Sequence, residues 1–447
     1  MTWSYLPHTA EDRAEMLAAI GVKDTMELYA DVPDSIRLHR PLALGEPLSE
    51  REVAAYFKKL AAANANLQEY ACFLGAGAYD HFIPSTVGHV LSRSEFYTAY
   101  TQYQPEISQG YLQALWEYQS MICEITGMPV SNASMYDGST AMAEAALLSC
   151  HATRRNEIVV ARSVHPNYRT VLGTYAKDFG FVVKEVGFTD GVTTLEALSQ
   201  VVSKNTGAVI IQNPNFFGNL EDLSALIAKT HEVGALFTAV SDPIALGILE
   251  APGKQGADIV VGEGQPLGLA ISFGGPYLGF MAATAKLMRK LPGRIIGETV
   301  DKNGKRGFVL TLQAREQHIR RDKATSNICS NEALCALAAT VYLSTVGKEG
   351  YAEVASQCLQ KAHYAQQALA GHGIETVFKA PFFQEFVVKL SGNIAEINQE
   401  LLKEGIIGGL DLGCYYPELA GNMLLCVTEN RTKAQIDALV VGLGAKA

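Results

Sequence analysis

Polar side chains stand at the start of one predicted helix, where they could bind a phosphate group. The run from Ala141 to Leu148 is helix-forming, and the segment Tyr136 to Thr140 precedes it. Free backbone N–H groups at a helix start, with the Ser139 and Thr140 hydroxyls beside them, suit an anion. An ordinary helix cap would use the same residues, so the pattern leaves both possibilities open.

Two further residues follow predicted strands. His165 comes after Ile158 to Ala161 and could stack on a planar ring, although a single histidine in such a place is more often structural. Asp242 closes the strand Leu236 to Val240, where it could accept a hydrogen bond from a ring nitrogen. Its alternative role is to cap the next turn. The carboxyl ends of parallel strands share one edge of a sheet, so we expect these residues to lie near each other.

A phosphate site, a ring stacker and a carboxylate are three of the four groups that hold pyridoxal phosphate, and the fourth is a Schiff-base lysine. We expect that lysine just after the strand Asp258 to Val261, but the segment Gly262 to Gly268 contains Gln265 instead. An amide cannot form an imine. The sequence therefore predicts no Schiff-base lysine in this chain. It predicts a degenerate remnant of a cofactor site at Ser139, Thr140, His165, Asp242 and Gln265.

A second group of polar residues lies between positions 97 and 109. This tyrosine segment combines three tyrosines, three glutamines and a glutamate, and it fits neither helical nor strand periodicity. Polar-tipped aromatic rings beside amides suit a site for a small polar ligand, and a surface loop with its aromatics tucked under it is the alternative. The candidate site residues are Tyr97, Tyr100, Tyr103, Gln104, Glu106, Ser108 and Gln109.

Strands and helices alternate after Asn132. The predicted strands are Ile158 to Ala161, Phe181 to Val183, Ala208 to Ile211, Ala235 to Val240 and Asp258 to Val261, and Leu223 to His231 is a predicted helix. Apolar strands separated by helices indicate an α/β domain whose mostly parallel sheet is covered on both faces.

Three regions are predicted along the chain. Residues 1–90 form an N-terminal helical arm, with a capping box at Ser49 to Glu52 opening one of its helices. Residues 91–325 form the large α/β domain, and residues 326–447 form a smaller α+β domain. In this last region the predicted helices are Glu332 to Thr345, Tyr351 to Ala370, Ile394 to Leu402 and Ala434 to Leu443, and the predicted strands are Glu375 to Phe378, Phe386 to Leu390 and Met423 to Val427. This is the layout of a fold-type-I, pyridoxal phosphate-dependent transferase, although a fold alone does not give a function.

Composition excludes several classes of protein. A net charge of -10 without a basic cluster argues against a nucleic-acid partner. The eight cysteines show no CxxC spacing, so neither a metal site nor a disulfide framework is predicted. The uncharged stretch Gln265 to Ala285 contains four glycines and two prolines, which disfavours a membrane-spanning helix. The amino terminus resembles no signal peptide, and we expect a cytoplasmic location.

Several long segments resemble the P-protein of the glycine cleavage system, in particular its alpha subunit where the protein is divided in two. The similarity extends over nearly the whole chain, and the fifteen-residue segment from Phe96 to Gly110 is its most specific part. The matching segments are Phe73 to Pro84, Phe96 to Gly110, Phe273 to Pro276, Arg315 to Arg321 and Ala324 to Cys329. The family usually has proline where this chain has Gln102, which could alter the loop.

The resemblance implies a specific reaction. In the family, glycine reacts with pyridoxal phosphate held by a lysine of the beta subunit, carbon dioxide leaves, and the aminomethyl group passes to the lipoyl group of the H-protein. The family position that matches Gln265 is a glutamine in the alpha subunit. The resemblance therefore implies an alpha2-beta2 heterotetramer in which the tyrosine segment of this chain lines the active site of its partner.

Two alternatives remain open from the residues. This chain could be a regulatory pseudoenzyme that only stabilises a cofactor-binding partner. It could also be a free-standing aminotransferase or decarboxylase whose lysine lies elsewhere, which Gln265 disfavours. The activity of each chain alone and of their mixture would distinguish the three.

Overall fold

The computed structural model describes residues 7–98, 102, 104–313, 316–324, 326–328 and 332–444. The chain divides into two compact units, Met1–Ala65 and Asn66–Ala447. The predicted arm ended later, at residue 90. The difference arises because Ala71 and Phe73 are buried in the same core as Ile406, near the carboxyl end of the chain.

The first unit contains two helices that begin with reciprocal caps. Helix α1 is Ala10–Ile20 and helix α2 is Glu50–Ala61. The predicted capping box of α2 is confirmed, since Ser49 N donates to Glu52 Oε2 at 2.8 Å and Glu52 N donates to Ser49 Oγ at 3.4 Å. Neither helix has a buried residue. The apolar side chains of this unit are therefore left without a core of their own.

The second unit contains the remaining helices and all the strands of the described chain. Its helices are α3 Ser85–Leu91, α4 Ser94–Tyr97, α5 Gln109–Thr126, α6 Gly138–Thr153, α7 Pro166–Phe179, α8 Leu195–Val201, α9 Leu223–Glu232, α10 Gln317–Arg320, α11 Ala333–Gly371, α12 Ile394–Lys403 and α13 Lys433–Gly444. Its strands are β1 Ala71–Cys72, β2 Val130–Ser131, β3 Glu157–Ala161, β4 Val182–Val186, β5 Thr206–Asn213, β6 Leu236–Ser241, β7 Ile259–Glu263, β8 Gly279–Ala283, β9 Ile295–Val300, β10 Arg306–Thr311, β11 Glu385–Lys389, β12 Ile406–Ile407, β13 Leu410–Asp411 and β14 Asn422–Cys426.

A seven-stranded sheet forms the centre of the second unit, in the order β2-β8-β7-β6-β5-β3-β4. Strands β4, β3, β5, β6 and β7 run parallel, and β8 and β2 add antiparallel pairs at one edge. All five predicted strands are found here. Strand β3 is buried along its whole length, as expected of a parallel strand covered on both faces. The predicted α/β, fold-type-I architecture is confirmed.

The smaller sheet near the carboxyl end is antiparallel, in the order β11-β14-β13. The predicted strand at Glu375 to Phe378 is wrong, since this segment forms only an isolated bridge between Thr376 and Val388. Its apolar residues Val377 and Phe378 pack against a separate aromatic cluster. Hydrophobic packing, rather than a ladder of hydrogen bonds, therefore accounts for the apolar pattern.

Helix α11 is interrupted where the sequence predicts two helices. Gly347 lies inside it with φ 63° and ψ -177°, a conformation open mainly to glycine. The predicted helices therefore meet at this break. Among the described helices, none is both long and apolar enough to cross a membrane.

Candidate functional site

The carboxyl ends of the parallel strands surround a small cavity of about 40 Å³. His165 and Asp242 line it together with Glu263, which ends β7. Residues 75–81, here called the crossing loop, pass close to this edge, and they hold both His165 and Gln265 by hydrogen bonds. The structure thus brings His165, Asp242 and Gln265 to the same edge of the sheet.

Two carboxylates of the protein accept hydrogen bonds at the start of α6. Asp137 Oδ1 accepts hydrogen bonds from Thr140 N at 2.8 Å and from Ser139 Oγ at 2.5 Å. Glu263 Oε2 accepts from Gly138 N at 3.0 Å. The predicted helix start is therefore present, and the N–H groups of Gly138 and Thr140 and the Ser139 hydroxyl are paired with these acidic side chains.

His165 begins α7, and aromatic rings surround it. Tyr168 stacks on its imidazole at a centroid distance of 4.9 Å and an angle of 24°, and Phe216 packs edge-on at 4.8 Å. The imidazole Nε2 lies 2.9 Å from Ala76 O. Burial lowers the pKa of His165 to about 4, so the ring is neutral near pH 7 and Nε2 donates to this carbonyl.

Asp242 takes two hydrogen bonds at the end of β6. Its Oδ1 accepts from Ile244 N at 2.8 Å, which is the turn-capping role considered as its alternative. Its Oδ2 accepts from Gln384 Nε2 at 2.9 Å. The carboxylate is therefore engaged by an amide of the small domain at the position where a ring nitrogen was expected.

Gln265 is fully buried and bonded to the crossing loop through both ends of its amide. Its Oε1 accepts from Tyr79 N at 2.9 Å, and its Nε2 donates to Tyr79 O at 3.0 Å and to Leu269 O at 2.7 Å. Such two-sided pairing has no equivalent for a lysine, because an ammonium group has no acceptor. The side chain at the expected lysine position thus holds the backbone of the loop.

Two further acids were missed by the sequence analysis. Glu385, at the start of β11, accepts from Ala76 N at 2.7 Å and from Tyr79 Oη at 2.8 Å. Burial raises the pKa of Glu385 to about 8 and that of Glu263 to about 7, and it also raises the pKa of Asp242. Glu263 could have been noticed, because it stands at a strand end two positions before Gln265. No comparable feature of the sequence marked Glu385 as a residue of this site.

These residues do not fit pyridoxal phosphate. An engineered cavity of roughly 150 Å³ accommodates benzene, and the space here, about 40 Å³, is far smaller. The residues that line it include three acids and, within the described chain, no lysine or arginine to balance a phosphate. The donor at the start of α6 is already taken by Glu263.

The described residues of the tyrosine segment range from exposed to buried, and Gln102 is buried. Tyr97 ends α4 and is 57% exposed, and Gln104 and Glu106 are exposed as well. Ser108 and Gln109 are half-buried at the start of α5. Tyr100 and Tyr103 lie outside the described residues. None of the described members lines the cavity.

Gln109 joins α5 to strand β10. Its Oε1 accepts from Phe308 N at 2.8 Å, and its Nε2 donates to Phe308 O at 2.8 Å and to Pro105 O at 2.7 Å. The amide therefore fixes the loop that precedes α5 to the neighbouring strand.

Replacing Gln109 by Ala should destabilise the chain by about 1–3 kcal/mol, because it leaves both backbone groups of Phe308 without their partner. Gln113→Ala on the same helix is a matched control, since that side chain reaches only Glu117 on the surface. It should cost about 0.5 kcal/mol or less. Urea unfolding of both variants measures the difference, and equal stabilities would contradict a structural role for Gln109.

Comparison with known proteins identifies the family. Residues 3–443 match the family described as glycine cleavage system P-protein. Relatives named "Probable glycine dehydrogenase (decarboxylating) subunit 1" include one from Desulforamulus reducens, 57% identical over 99% of both chains, and one from Moorella thermoacetica, 58% identical over 98% of this chain and 99% of the relative.

Solved structures agree with this assignment. A glycine decarboxylase (P-protein) of the glycine cleavage system, in inhibitor-bound form, superimposes with a TM-score of 0.90 at 42% identity, covering 100% of both chains. A sphingosine-1-phosphate lyase from Burkholderia pseudomallei shares the fold alone, with a TM-score of 0.66 at 16% identity over 92% of both chains. The chain belongs to the glycine cleavage system P-protein family.

Proposed function

We propose that this chain is the first subunit of a two-subunit glycine dehydrogenase (decarboxylating) and that it acts only in complex with a lysine-bearing second subunit. The pyridoxal phosphate is held by that partner. Glycine loses carbon dioxide there, and the aminomethyl group passes to the lipoyl group of the H-protein. The observation that carries the proposal is that Gln265, at the position where we expect the lysine, is buried and paired with Tyr79 in a chain of the P-protein family.

The tyrosine segment is the part of this chain that we propose to line the partner's active site. Tyr97, Gln104 and Glu106 present polar groups at the surface rather than to the cavity of this chain. Such groups could therefore reach a ligand held by another subunit. Tyr100 and Tyr103 are proposed to act with them on the strength of the family resemblance.

Exposed apolar side chains support a permanent partner. In the first unit, Leu44 is 79% exposed and Ile36 is 73% exposed, and in the second unit Phe273 is 94% exposed. The first unit exposes many large apolar side chains, and a concentration of exposed apolar surface marks an interaction site. We propose that the second subunit covers this surface in an alpha2-beta2 heterotetramer. We also propose that the complex is located in the cytoplasm, where free thiols such as the seven described cysteines persist.

Trapping of the cofactor tests the proposal directly. The two subunits are expressed together, purified as a complex, mixed with pyridoxal phosphate and reduced with borohydride. The label should appear at one lysine of the second subunit and in no stoichiometric amount on this chain. Stoichiometric labelling of a single lysine of this chain would overturn the assignment, and so would the failure of the two chains to form a complex.

Phe273→Ala should weaken assembly about tenfold or more, because an aromatic side chain that moves from water into an interface contributes roughly 1.5–3 kcal/mol. Phe273 stands at a loop with φ 52° and contacts little of its own chain, so the thermal midpoint of the isolated subunit should not change. Phe273→Leu is the matched control and should retain most of the affinity. Sedimentation measures the dissociation constant, and an unchanged value for the alanine variant would exclude this residue from the interface.

A further inference from the structure

The crossing loop lies in the remnant cofactor site, where side chains hold its backbone by hydrogen bonds. His165 Nε2 and Gln265 Nε2 both donate to its backbone carbonyls, at 2.9 Å and 3.0 Å. A Cβ placed on Gly77 would lie 2.7 Å from His165 Nε2, so the loop backbone is pressed against the imidazole. Gly77 also has φ 99°, a conformation that disfavours any other residue. The loop is thus fitted to the two residues that would otherwise face a cofactor.

The other contacts expected of a cofactor are also made by protein groups. The Tyr168 ring stacks on His165, as a pyridine ring would. The Glu263 carboxylate takes the Gly138 N–H at the start of α6, as a phosphate would. The Gln384 amide donates to Asp242, as a protonated ring nitrogen would. The His165 imidazole, the Gly138 N–H group and the Asp242 carboxylate therefore each have a partner within the chain.

Glycine at position 138 is required by this arrangement. A Cβ at Gly138 would overlap the Tyr168 hydroxyl and approach Glu263 N at 3.0 Å. The tyrosine hydroxyl and the end of β7 therefore fill the space directly in front of α6. What remains between these groups, about 40 Å³, suits a few water molecules.

We propose that the crossing loop, together with Tyr168, Glu263 and Gln384, is a built-in plug that replaces the cofactor and closes this site to phosphorylated ligands. The plug links the large sheet, through Asp242 and Gln265, to the small domain, through Gln384 and Glu385. It keeps the two domains of this subunit together without a ligand. This structural role of the plug does not depend on the reaction that the assembled enzyme catalyses.

Binding and hydrogen exchange of the full wild-type chain test the plug. Pyridoxal phosphate and inorganic phosphate are the two probes, each applied by equilibrium dialysis. We expect no saturable binding of either probe, and slow exchange of the Ala76 and Tyr79 amides that neither probe changes, because both amides donate to buried acceptors. Saturable one-to-one binding of pyridoxal phosphate, with faster exchange in residues 73–84, would overturn the proposal.

Two substitutions extend the test. Gln265→Lys restores only the lysine, so borohydride should still trap no stoichiometric cofactor on this chain. Trapping at the introduced lysine would show that the site is open. Glu263→Ser frees the N–H group of Gly138, together with those of Gln265 and Leu278, and inorganic phosphate should then raise the thermal midpoint of this variant but not that of the wild type.

Glu196→Ser is the matched control, since it removes an exposed acid from the first turn of another helix. Phosphate should not stabilise it. A folded Glu263→Ser variant that shows no phosphate response would overturn the role assigned to Glu263. If that variant does not fold, dialysis and exchange of the wild-type chain still decide between a plugged and an open site, and neither measurement depends on glycine turnover.

Discussion

Tyr97→Phe should lower glycine–bicarbonate exchange of the assembled enzyme by about 10²-fold, because a single hydroxyl that positions developing charge contributes about that much to turnover. The ring is kept, and the hydroxyl is at the surface of the isolated chain, where Tyr97 is 57% exposed. Assembly and subunit stability should therefore be unchanged. Tyr100→Phe is expected to behave in the same way, on the strength of the family resemblance.

Two variants separate this effect from a general perturbation. Tyr29→Phe removes the hydroxyl of an equally exposed residue, 57% exposed, in the first unit, and it should leave exchange unchanged. Asp242→Asn, in the remnant site, should also leave exchange nearly unchanged, with a stability cost of about 1 kcal/mol for the turn that it caps. If Tyr97→Phe and Tyr100→Phe both retain full exchange, the tyrosine segment is structural and this chain serves as a scaffold.

The stability of this chain should fall as pH rises from about 5 to about 9. Burial raises the pKa of Glu385 to about 8 and that of Glu263 to about 7, from ordinary values near 4.5. In this range the folded chain binds more protons than the unfolded chain, so the free energy of unfolding decreases with pH. The protonated forms of Glu263 and Glu385 contribute fully to stability below the unfolded pKa near 4.5. This contribution is lost as pH rises through the folded pKa values of about 7 and about 8.

Glu385→Gln should remove much of this pH dependence. Its amide resembles the protonated acid and can still accept from Ala76 N, so the variant should be close to the wild type near about pH 5 and more stable by on the order of 3 kcal/mol near about pH 9. Urea unfolding at both pH values checks this. A wild type that becomes more stable toward high pH would contradict the protonation assigned to these acids.

The five parallel strands of the central sheet were predictable because most of them are short apolar runs bounded by polar or turn-forming residues, whereas β2 and β8 were not predicted. Ile158 to Ala161 and Ala208 to Ile211 are such runs, and both are buried strands in the structure. The start of α6 was likewise predictable from Tyr136 to Thr140. The local pattern could not indicate that Glu263 accepts from the N–H group of Gly138, because the two residues lie 125 positions apart.

The contacts of the crossing loop depend on residues that lie still farther apart in the sequence. Ala76 and Glu385 lie 309 positions apart, and the glycines around Ala76 indicate only a turn. At Val377 and Phe378 the local pattern gave a wrong prediction. Their apolar character predicted a strand, but in the structure they pack against an aromatic cluster. The prediction that Gln265 stands at the lysine position rests on its place just after the predicted strand Asp258 to Val261.

The most direct test of the proposed function is glycine–bicarbonate exchange measured with this chain alone, with the lysine-bearing subunit alone and with their mixture. We predict exchange at full rate only in the mixture, because one subunit supplies the lysine and the other supplies the tyrosine segment. Full-rate exchange by this chain alone would contradict the assignment, and full-rate exchange by the lysine-bearing subunit alone would contradict a contribution of this chain to the active site.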